Sequence, residues 1–88
     1  MSDQHDFRVK RLRFRSWRRG TREMDLLLGQ FADRHLPALN ATELDAYEAL
    51  LEAADPDIFS WITGDAPLPA RFDRAILELI RNYKAVTQ

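Results

Sequence analysis

The sequence predicts an all-α protein, a single domain in which about five short helices form an irregular bundle. Three observations lead to this prediction. Apolar side chains recur at helical spacing in several segments, and capping residues, glycines or prolines separate those segments. The one segment that alternates like a strand has no second strand to pair with. With 88 residues, the chain has room for one core but little for an enclosed substrate cavity.

The segment from Phe7 to Trp17 is the ambiguous one. Its apolar and basic residues alternate as in a strand, but an unpaired strand would be unstable in an otherwise helical chain. As a helix, the segment gathers most of its arginines on one face and places Val9 and Leu12 elsewhere. We therefore predict a helix here.

Gly20 separates this helix from a second one. Thr21 is a suitable N-cap, and Glu23 and Asp25 then fall in the first turn, where the helix dipole favours negative charge. Apolar residues follow at 3.6-residue spacing until the pair Leu36-Pro37 ends the helix.

The third helix begins at Asn40, which fits a capping box with Glu43. An apolar stripe follows along this helix. The acids on its opposite side are expected to face solvent: Asp45, Glu48 and Glu52.

Two further helices complete the bundle. Asp55 is interpreted as the N-cap of the fourth, with Pro56 at its first position and Asp57 in its first turn. Gly64 ends this short helix. Apolar residues between positions 72 and 83 share one face of the fifth helix.

The domain is expected to span residues 8–84, with residues 1–7 as a flexible N-terminus and residues 85–88 as a frayed C-terminus. There is no cysteine, and the two histidines are far apart, so we expect no disulfide and no metal site. No apolar run is long enough for membrane insertion. No phosphate-binding loop or nucleophile–base set is readable, so we do not expect an enzyme.

Charge is divided unevenly along the chain. Residues 1–22 carry eight basic and two acidic side chains, a net +6, whereas residues 23–88 carry five basic and twelve acidic ones, a net −7. As a helix, the chain places five arginines within about 100° of arc on one face: Arg8, Arg11, Arg15, Arg18 and Arg19. This face is interpreted as a solvated charge stripe, a nucleic-acid contact, or a docking surface for an acidic protein. The acidic remainder of the chain argues against nucleic acid as a partner.

The run Arg19-Gly20-Thr21-Arg22-Glu23 stands at the predicted corner between the first two helices. It places a guanidinium fork, a bare backbone and a carboxylate within one turn, and glycine allows a partner's main chain to approach closely. The same residues also fit a plain turn with a weak local ion pair between Arg19 and Glu23. The residues alone leave these two interpretations balanced.

Residues 18–25, Arg-Arg-Gly-Thr-Arg-Glu-Met-Asp, resemble the signature of the bacterial and mitochondrial succinate dehydrogenase flavinylation factors, the succinate dehydrogenase assembly factor 2 family. A second block of that family is similar to residues 50–52, Leu-Leu-Glu, followed by residues 55–64, Asp-Pro-Asp-Ile-Phe-Ser-Trp-Ile-Thr-Gly. Order and spacing match, and the likeness covers roughly residues 8–83.

The resemblance implies a five-helix bundle that binds the flavoprotein subunit of succinate dehydrogenase, and often that of fumarate reductase. It implies an assembly chaperone that promotes covalent attachment of FAD to a histidine of this client. FAD would be handled through the client, with no cofactor bound stably. The implied partner-binding residues are the following: Arg19, Gly20, Glu23, Asp25, Arg15, Arg11 and Arg8.

Further expectations follow. The acidic start of the chain is unlike a transit peptide, which favours the bacterial, cytoplasmic form of the family. Gly20→Arg and Glu23→Ala are expected to abolish client binding with little change in thermal unfolding. The alternative function is a regulatory, antitoxin-like or nucleic-acid-binding module that uses the basic first helix.

Overall fold

The structure, a computed structural model, describes the backbone of residues 3–87 and the side chains of residues 3–84. The described residues form five α-helices and contain no strand, which confirms the predicted all-α fold. The helices are α1 (Asp3–Ser16), α2 (Arg22–His35), α3 (Ala41–Leu51), α4 (Asp55–Thr63) and α5 (Arg74–Thr87), with a 3₁₀ turn at Leu36–Ala38 after α2.

α1 begins earlier than the predicted domain boundary at residue 8. Its first turn, from Asp3, carries two acids where the helix dipole favours them. His5 Nε2 lies 2.8 Å from the carbonyl oxygen of Leu39, which ties this turn to the segment before α3. Residues 3–7 of the predicted flexible N-terminus are therefore helical, and residues 1–2 lie outside the described part of the chain.

The ends of the last two helices also differ from the prediction. The N-cap of α4 is Ala54, without a side-chain cap, so the interpretation of Asp55 as the cap was wrong. Gly64 ends α4 as predicted, with a φ of +88°. α5 extends to Thr87, past the predicted domain end at residue 84, and fraying of residues 85–88 stays a prediction.

The starts of α2 and α3 confirm the predicted caps. Thr21 Oγ1 accepts a hydrogen bond from the amide of Met24 at 3.3 Å. Asn40 and Glu43 form a reciprocal capping box, in which each side chain accepts from the other's amide at 2.8 and 2.9 Å. These local bonds fix where both helices start, and therefore where the turns before them lie.

The hydrophobic core lies where the inner faces of the five helices meet. Phe31 of α2 and Tyr47 of α3 are fully buried, with ring centroids 5.6 Å apart. Leu12, Ile58 and Ile80 bring α1, α4 and α5 to the same cluster. Because burial of each such side chain stabilises the fold by about 1.5–3 kcal/mol, this cluster holds the helices together.

The core contains one buried polar contact between α1 and α3. Ser16 Oγ donates to the carbonyl oxygen of Leu12 at 2.8 Å, so Tyr47 donates its hydroxyl to Ser16 Oγ at 2.7 Å. Burial raises the pKa of Tyr47 to about 12, because the phenolate would be far from water. The hydrogen bond with Ser16 and the nearby arginines lower this pKa only in part.

This tyrosine predicts a loss of stability at alkaline pH. The unfolded chain releases the phenol proton near pH 10 and the folded one near pH 12, so the folded state binds more protons in between. The free energy of unfolding should then be unaffected below pH 10 and fall by about 3 kcal/mol as pH approaches 12. Urea titrations across this range test it.

Tyr47→Phe serves as the comparison for this prediction. At neutral pH it should cost about 1 kcal/mol, because Ser16 loses a hydrogen-bond donor. Between pH 10 and 12 the variant should lose less stability than the wild type. A difference between the two proteins that does not change with pH would contradict the prediction.

Candidate partner-binding site

The candidate site is centred on the turn between α1 and α2. Gly20 lies in this turn with a φ of +107°, a conformation that other L-residues rarely adopt. It is exposed, and a Cβ built on it would have no atom within 4 Å. Glycine is therefore required by the backbone and not by lack of space, and the turn presents bare main chain to solvent.

Arg19 is held inside the protein. Its Nε and Nη2 both lie 2.8 Å from Oδ1 of Asp55, at the start of α4. Nη1 donates to the carbonyl oxygen of Leu51 at 2.9 Å, and Nη2 to that of Ala53 at 3.1 Å. The side chains of Arg19 and Asp55 are only 11 % and 14 % exposed. Arg19 thus joins the α1–α2 turn to the α3–α4 turn.

The contacts of Arg19 contradict one detail of each interpretation of this turn. The local ion pair between Arg19 and Glu23 does not form, because the guanidinium is turned toward Asp55. For the same reason, the fork of Arg19 is directed at groups within the fold rather than at solvent. Its place in the site is that of a residue that holds the turn.

Asp25 supports the turn from the α2 side. Its carboxylate oxygen Oδ1 accepts a hydrogen bond from the backbone amide of Arg19. Asp25 also lies in the first turn of α2, where the helix dipole favours its charge. Arg19, which precedes Gly20, is therefore fixed twice: its amide is bound by Asp25, and its guanidinium is bound by Asp55.

Glu23 differs from these two residues because it is exposed. The side chain of Glu23 forms no hydrogen bond and no salt bridge with any other described residue. It borders a shallow surface groove of about 190 Å³ between α2, α4 and α5. The residues that line the groove are Glu23, Leu26, Leu27, Gln30, Phe59, Tyr83 and Lys84. A free carboxylate thus stands beside an open, largely apolar depression.

The predicted basic face of α1 packs against the acidic face of α3. Arg8 Nη2 lies 2.6 Å from Asp45 and 2.8 Å from Glu48. Arg15 lies 3.4 Å from Glu48 and 2.6 Å from Glu52. Arg11 reaches Glu48 at 4.0 Å. Asp45 and Glu52 are largely exposed, as expected, with 70 % and 68 % of their side chains accessible, whereas Glu48 is only 31 % exposed. The sequence did not predict that these acids also pair with arginines of α1, and we call these contacts the arginine ladder.

The arginine ladder changes the interpretation of the basic face. The hydrogen bonds that Arg8 donates to Glu48 and to Asp45 raise the pKa of Arg8 above its ordinary value, so its charge is stabilised by these partners. Surface ion pairs of this kind each contribute about 0.2–1 kcal/mol. Arg8 and Arg15 are engaged within the fold, and their charge is matched by acids of the same protein. This neutralisation weakens the case for nucleic-acid binding.

The structure thus divides the predicted site residues into two groups. Gly20, Glu23, Asp25 and Arg19 lie together at the α1–α2 turn, whereas the residues of the arginine ladder lie along α1 and α3. Sequence reasoning missed Asp55 as the partner of Arg19. The signal was present in the two motif blocks, which the fold brings into direct contact. It also missed the groove beside Glu23, whose walls come from three separate helices.

The part of the chain that matches a known protein family includes both turns that form this site. The family described as flavinator of succinate dehydrogenase matches residues 10–84, which include both the α1–α2 turn and the α3–α4 turn. The chain belongs to this family. The resemblance expected from residues 18–25 and 55–64 is confirmed.

Three relatives illustrate the likeness, each named succinate dehydrogenase assembly factor 2, mitochondrial, with the fly protein carrying the form 2-B. The protein of Dictyostelium discoideum is 40% identical over 74 residues, which cover 84% of this chain and 52% of the relative. That of Meyerozyma guilliermondii is 43% identical over 75 residues, 81% of this chain and 56% of the relative. That of Drosophila melanogaster is 38% identical over 78 residues, which cover 86% of this chain and 50% of the relative.

The chain therefore spans about half the length of these curated relatives. The names of these relatives describe assembly factors, in agreement with the prediction of a protein that is not an enzyme. The names also place the relatives in mitochondria, so the predicted cytoplasmic location is not confirmed. In the described part of the chain, no helix has the length and apolar character needed to cross a membrane.

Proposed function

We propose that this protein binds the flavoprotein subunit of succinate dehydrogenase and promotes its covalent FAD attachment, without binding FAD stably itself. The proposal rests on one observation above all. The family motif falls on an exposed turn that Arg19, Asp55 and Asp25 hold in place, with Gly20 and Glu23 left open to solvent.

The geometry of this turn supports a protein partner. The bare backbone of Gly20 allows a partner's main chain to approach without a side chain between them. Glu23 offers a charged acceptor to which no other described residue donates, and the groove beside it is lined mainly by apolar side chains. An apolar depression with a charged rim is typical of protein interfaces.

The proposed mechanism is therefore one of positioning. The turn is fixed before the client arrives, so little conformational entropy is lost at this site on binding. The flavin bond forms within the client, whose flavin-binding conformation the protein stabilises. Fumarate reductase is proposed as a second client, and the cytoplasm as the location of this chain.

Glu23→Gln should weaken client binding at least about tenfold, because a hydrogen bond to a charged group contributes about 1.5–3 kcal/mol. The free energy of unfolding should change by less than about 0.5 kcal/mol, since Glu23 is exposed. Isothermal titration calorimetry with the purified flavoprotein subunit measures the first value and urea denaturation the second. Asp65→Asn, at another exposed acid, is the matched control and should bind normally. Equal binding by both variants would exclude Glu23 from the contact.

Two substitutions at Gly20 distinguish the strain of a side chain at positive φ from steric obstruction of the partner. Gly20→Ala and Gly20→Arg should each lose about 1–3 kcal/mol of stability, because both place an L-residue at positive φ. This replaces the expectation that thermal unfolding of Gly20→Arg stays unchanged. Client binding should fall much further in Gly20→Arg than in Gly20→Ala, because only the long side chain obstructs the turn. Equal losses of binding would show that the partner does not approach Gly20.

The proposed activity itself is tested by reconstitution. Apo-flavoprotein and FAD are incubated with and without this protein, and covalent flavin is read by fluorescence after denaturing electrophoresis. Faster flavin attachment in its presence is expected for the succinate dehydrogenase subunit, with the fumarate reductase subunit examined in parallel. An unchanged rate with both subunits, together with no binding, would overturn the proposal.

A further inference from the structure

The outward face of α1 carries two exposed phenylalanines. Phe7 is 66 % exposed and Phe14 is 59 % exposed. They are seven residues apart, so they lie within about 20° of each other on the helix and about 10 Å apart along it. This direction is opposite to that of the buried Val9 and Leu12. The rings therefore occupy the positions on α1 that point furthest from the core.

Positive charge accompanies these rings. Lys10 lies between them in sequence and is exposed. The guanidinium of Arg18, just beyond the end of α1, stands 4.2 Å above the ring of Phe14. Among the described residues, neither Lys10 nor Arg18 forms a salt bridge, in contrast to the residues of the arginine ladder. The acids of α1, Asp3 and Asp6, are confined to its first turn.

We propose that this face of α1 binds reversibly to the surface of a bilayer that contains anionic lipids. Phe7 and Phe14 would enter the boundary between headgroups and acyl chains, while Lys10 and Arg18 contact lipid phosphates. A helix that lies in the plane of the interface with aromatic rings inward and cations beside them has the chemistry of a peripheral membrane contact. No part of the chain needs to cross the bilayer.

Charge complementarity favours anionic lipid over a second copy of this chain. A two-fold contact between two antiparallel α1 helices would place Phe7 against Phe14 of the other copy. The same symmetry would bring Lys10 against its own counterpart near the axis. Like charges would then meet at the centre of the contact, which is unfavourable.

The spacing of the rings also argues against single-stranded nucleic acid. Successive bases stack on aromatic platforms that follow the strand closely, whereas these rings are about 10 Å apart. The face of Phe14 is in addition occupied by Arg18. A flat anionic surface needs neither close ring spacing nor a free ring face, only exposed rings and accessible cations.

Vesicle sedimentation tests this proposal. The full chain is mixed at low salt with large vesicles of phosphatidylcholine alone or of phosphatidylcholine and phosphatidylglycerol at about 3:1. We expect binding to the mixed vesicles that weakens with salt and little binding to the neutral ones. Phe7→Ser combined with Phe14→Ser should reduce binding at least about tenfold. Lys10→Ser and Arg18→Ser should each reduce it about fivefold.

Leu26→Ser is the matched control, because Leu26 is 39 % exposed on α2 and lies in the groove rather than on this face. It should bind mixed vesicles as the wild type does. In Phe14→Trp, the fluorescence of the new indole should shift to the blue on mixed vesicles relative to the wild-type background. Circular dichroism confirms that each variant is folded.

Three outcomes would overturn the proposal. The first is that the wild type does not bind mixed vesicles, and the second is that the folded serine variants bind them as well as the wild type does. The third is that Leu26→Ser loses as much vesicle binding as those variants. If vesicle binding is absent and the two phenylalanine changes instead weaken binding of the flavoprotein subunit, this face contacts protein and the lipid proposal is wrong. The flavin attachment assay is read separately, so the two proposals fail independently.

Discussion

Arg19→Ala should lose about 3 kcal/mol of stability and most of its client binding. The change removes the contacts with Asp55 and leaves that carboxylate, which is only 14 % exposed, without its cation. It also leaves the carbonyl oxygens of Leu51 and Ala53 without their side-chain donors. Breaking a buried ion pair by removing one partner costs about 3–5 kcal/mol, and the remaining exposure of this pair places the expected value at the lower end. Urea denaturation measures it.

The loss of binding should arise because the turn is released, not because a contact to the client is lost. Asp55→Ala tests this distinction. It leaves Arg19 in place but removes the carboxylate that orients its guanidinium. If Arg19 acts by holding the turn, Asp55→Ala should weaken client binding in parallel with Arg19→Ala. If Arg19 contacts the client directly, Asp55→Ala should leave binding intact or strengthen it.

Arg19→Lys separates the charge of the side chain from its geometry. A lysine keeps the positive charge near Asp55 but cannot supply the fixed fork that reaches two carbonyl oxygens as well. Its stability and its client affinity should therefore both fall between those of the wild type and those of Arg19→Ala. An Arg19→Lys variant that folds normally yet fails to bind would contradict the positioning role.

The local features of this fold were readable from the sequence because they depend on residues a few positions apart. Asn40 and Glu43 cap α3 through bonds that span three residues, and Gly64 ends α4 through its own backbone conformation. The contact of Arg19 with Asp55 spans 36 residues, and helical spacing carries no information about such a distance. The exposed turn could be placed from the sequence, but what holds it could not.

The arginine ladder shows a signal that was present but not used. Arg8, Arg11 and Arg15 are spaced by three and then four residues, and so are the α3 acids Asp45, Glu48 and Glu52. Equal spacing of opposite charges on two helices allows the two faces to match residue by residue. Their pairing in chain order, from Arg8 with Asp45 to Arg15 with Glu52, shows that α1 and α3 run in the same direction. The uneven charge along the sequence is thus largely matched within the fold.

Gly29→Ala should destabilise the protein by about 2 kcal/mol, although alanine is the better helix former. Gly29 is buried in α2 beneath the indole of Trp17. A Cβ at this position would stand 2.2 Å from Trp17 Cδ2 and 2.4 Å from Cε2, so the ring must move. Overpacking of this kind costs about 1–3 kcal/mol, whereas replacing glycine within a helix returns about 1 kcal/mol. Because the atoms approach so closely, the steric cost should exceed the gain.

A double-mutant cycle with Trp17→Ala tests this explanation. Trp17 is held over Gly29 by contacts of its Nε1 with the carboxylate of Asp33 at 3.3 Å, so the ring cannot move away without loss. Without the indole, Gly29→Ala should become neutral or stabilise the protein by about 1 kcal/mol, which gives an interaction energy of about 2–3 kcal/mol. Additive effects of the two changes would show that Gly29 serves some other need of α2. Trp17 directly follows α1 and packs against α2 close to the α1–α2 turn, so a shifted indole should also lower client affinity. Titration of Gly29→Ala with the flavoprotein subunit measures that effect.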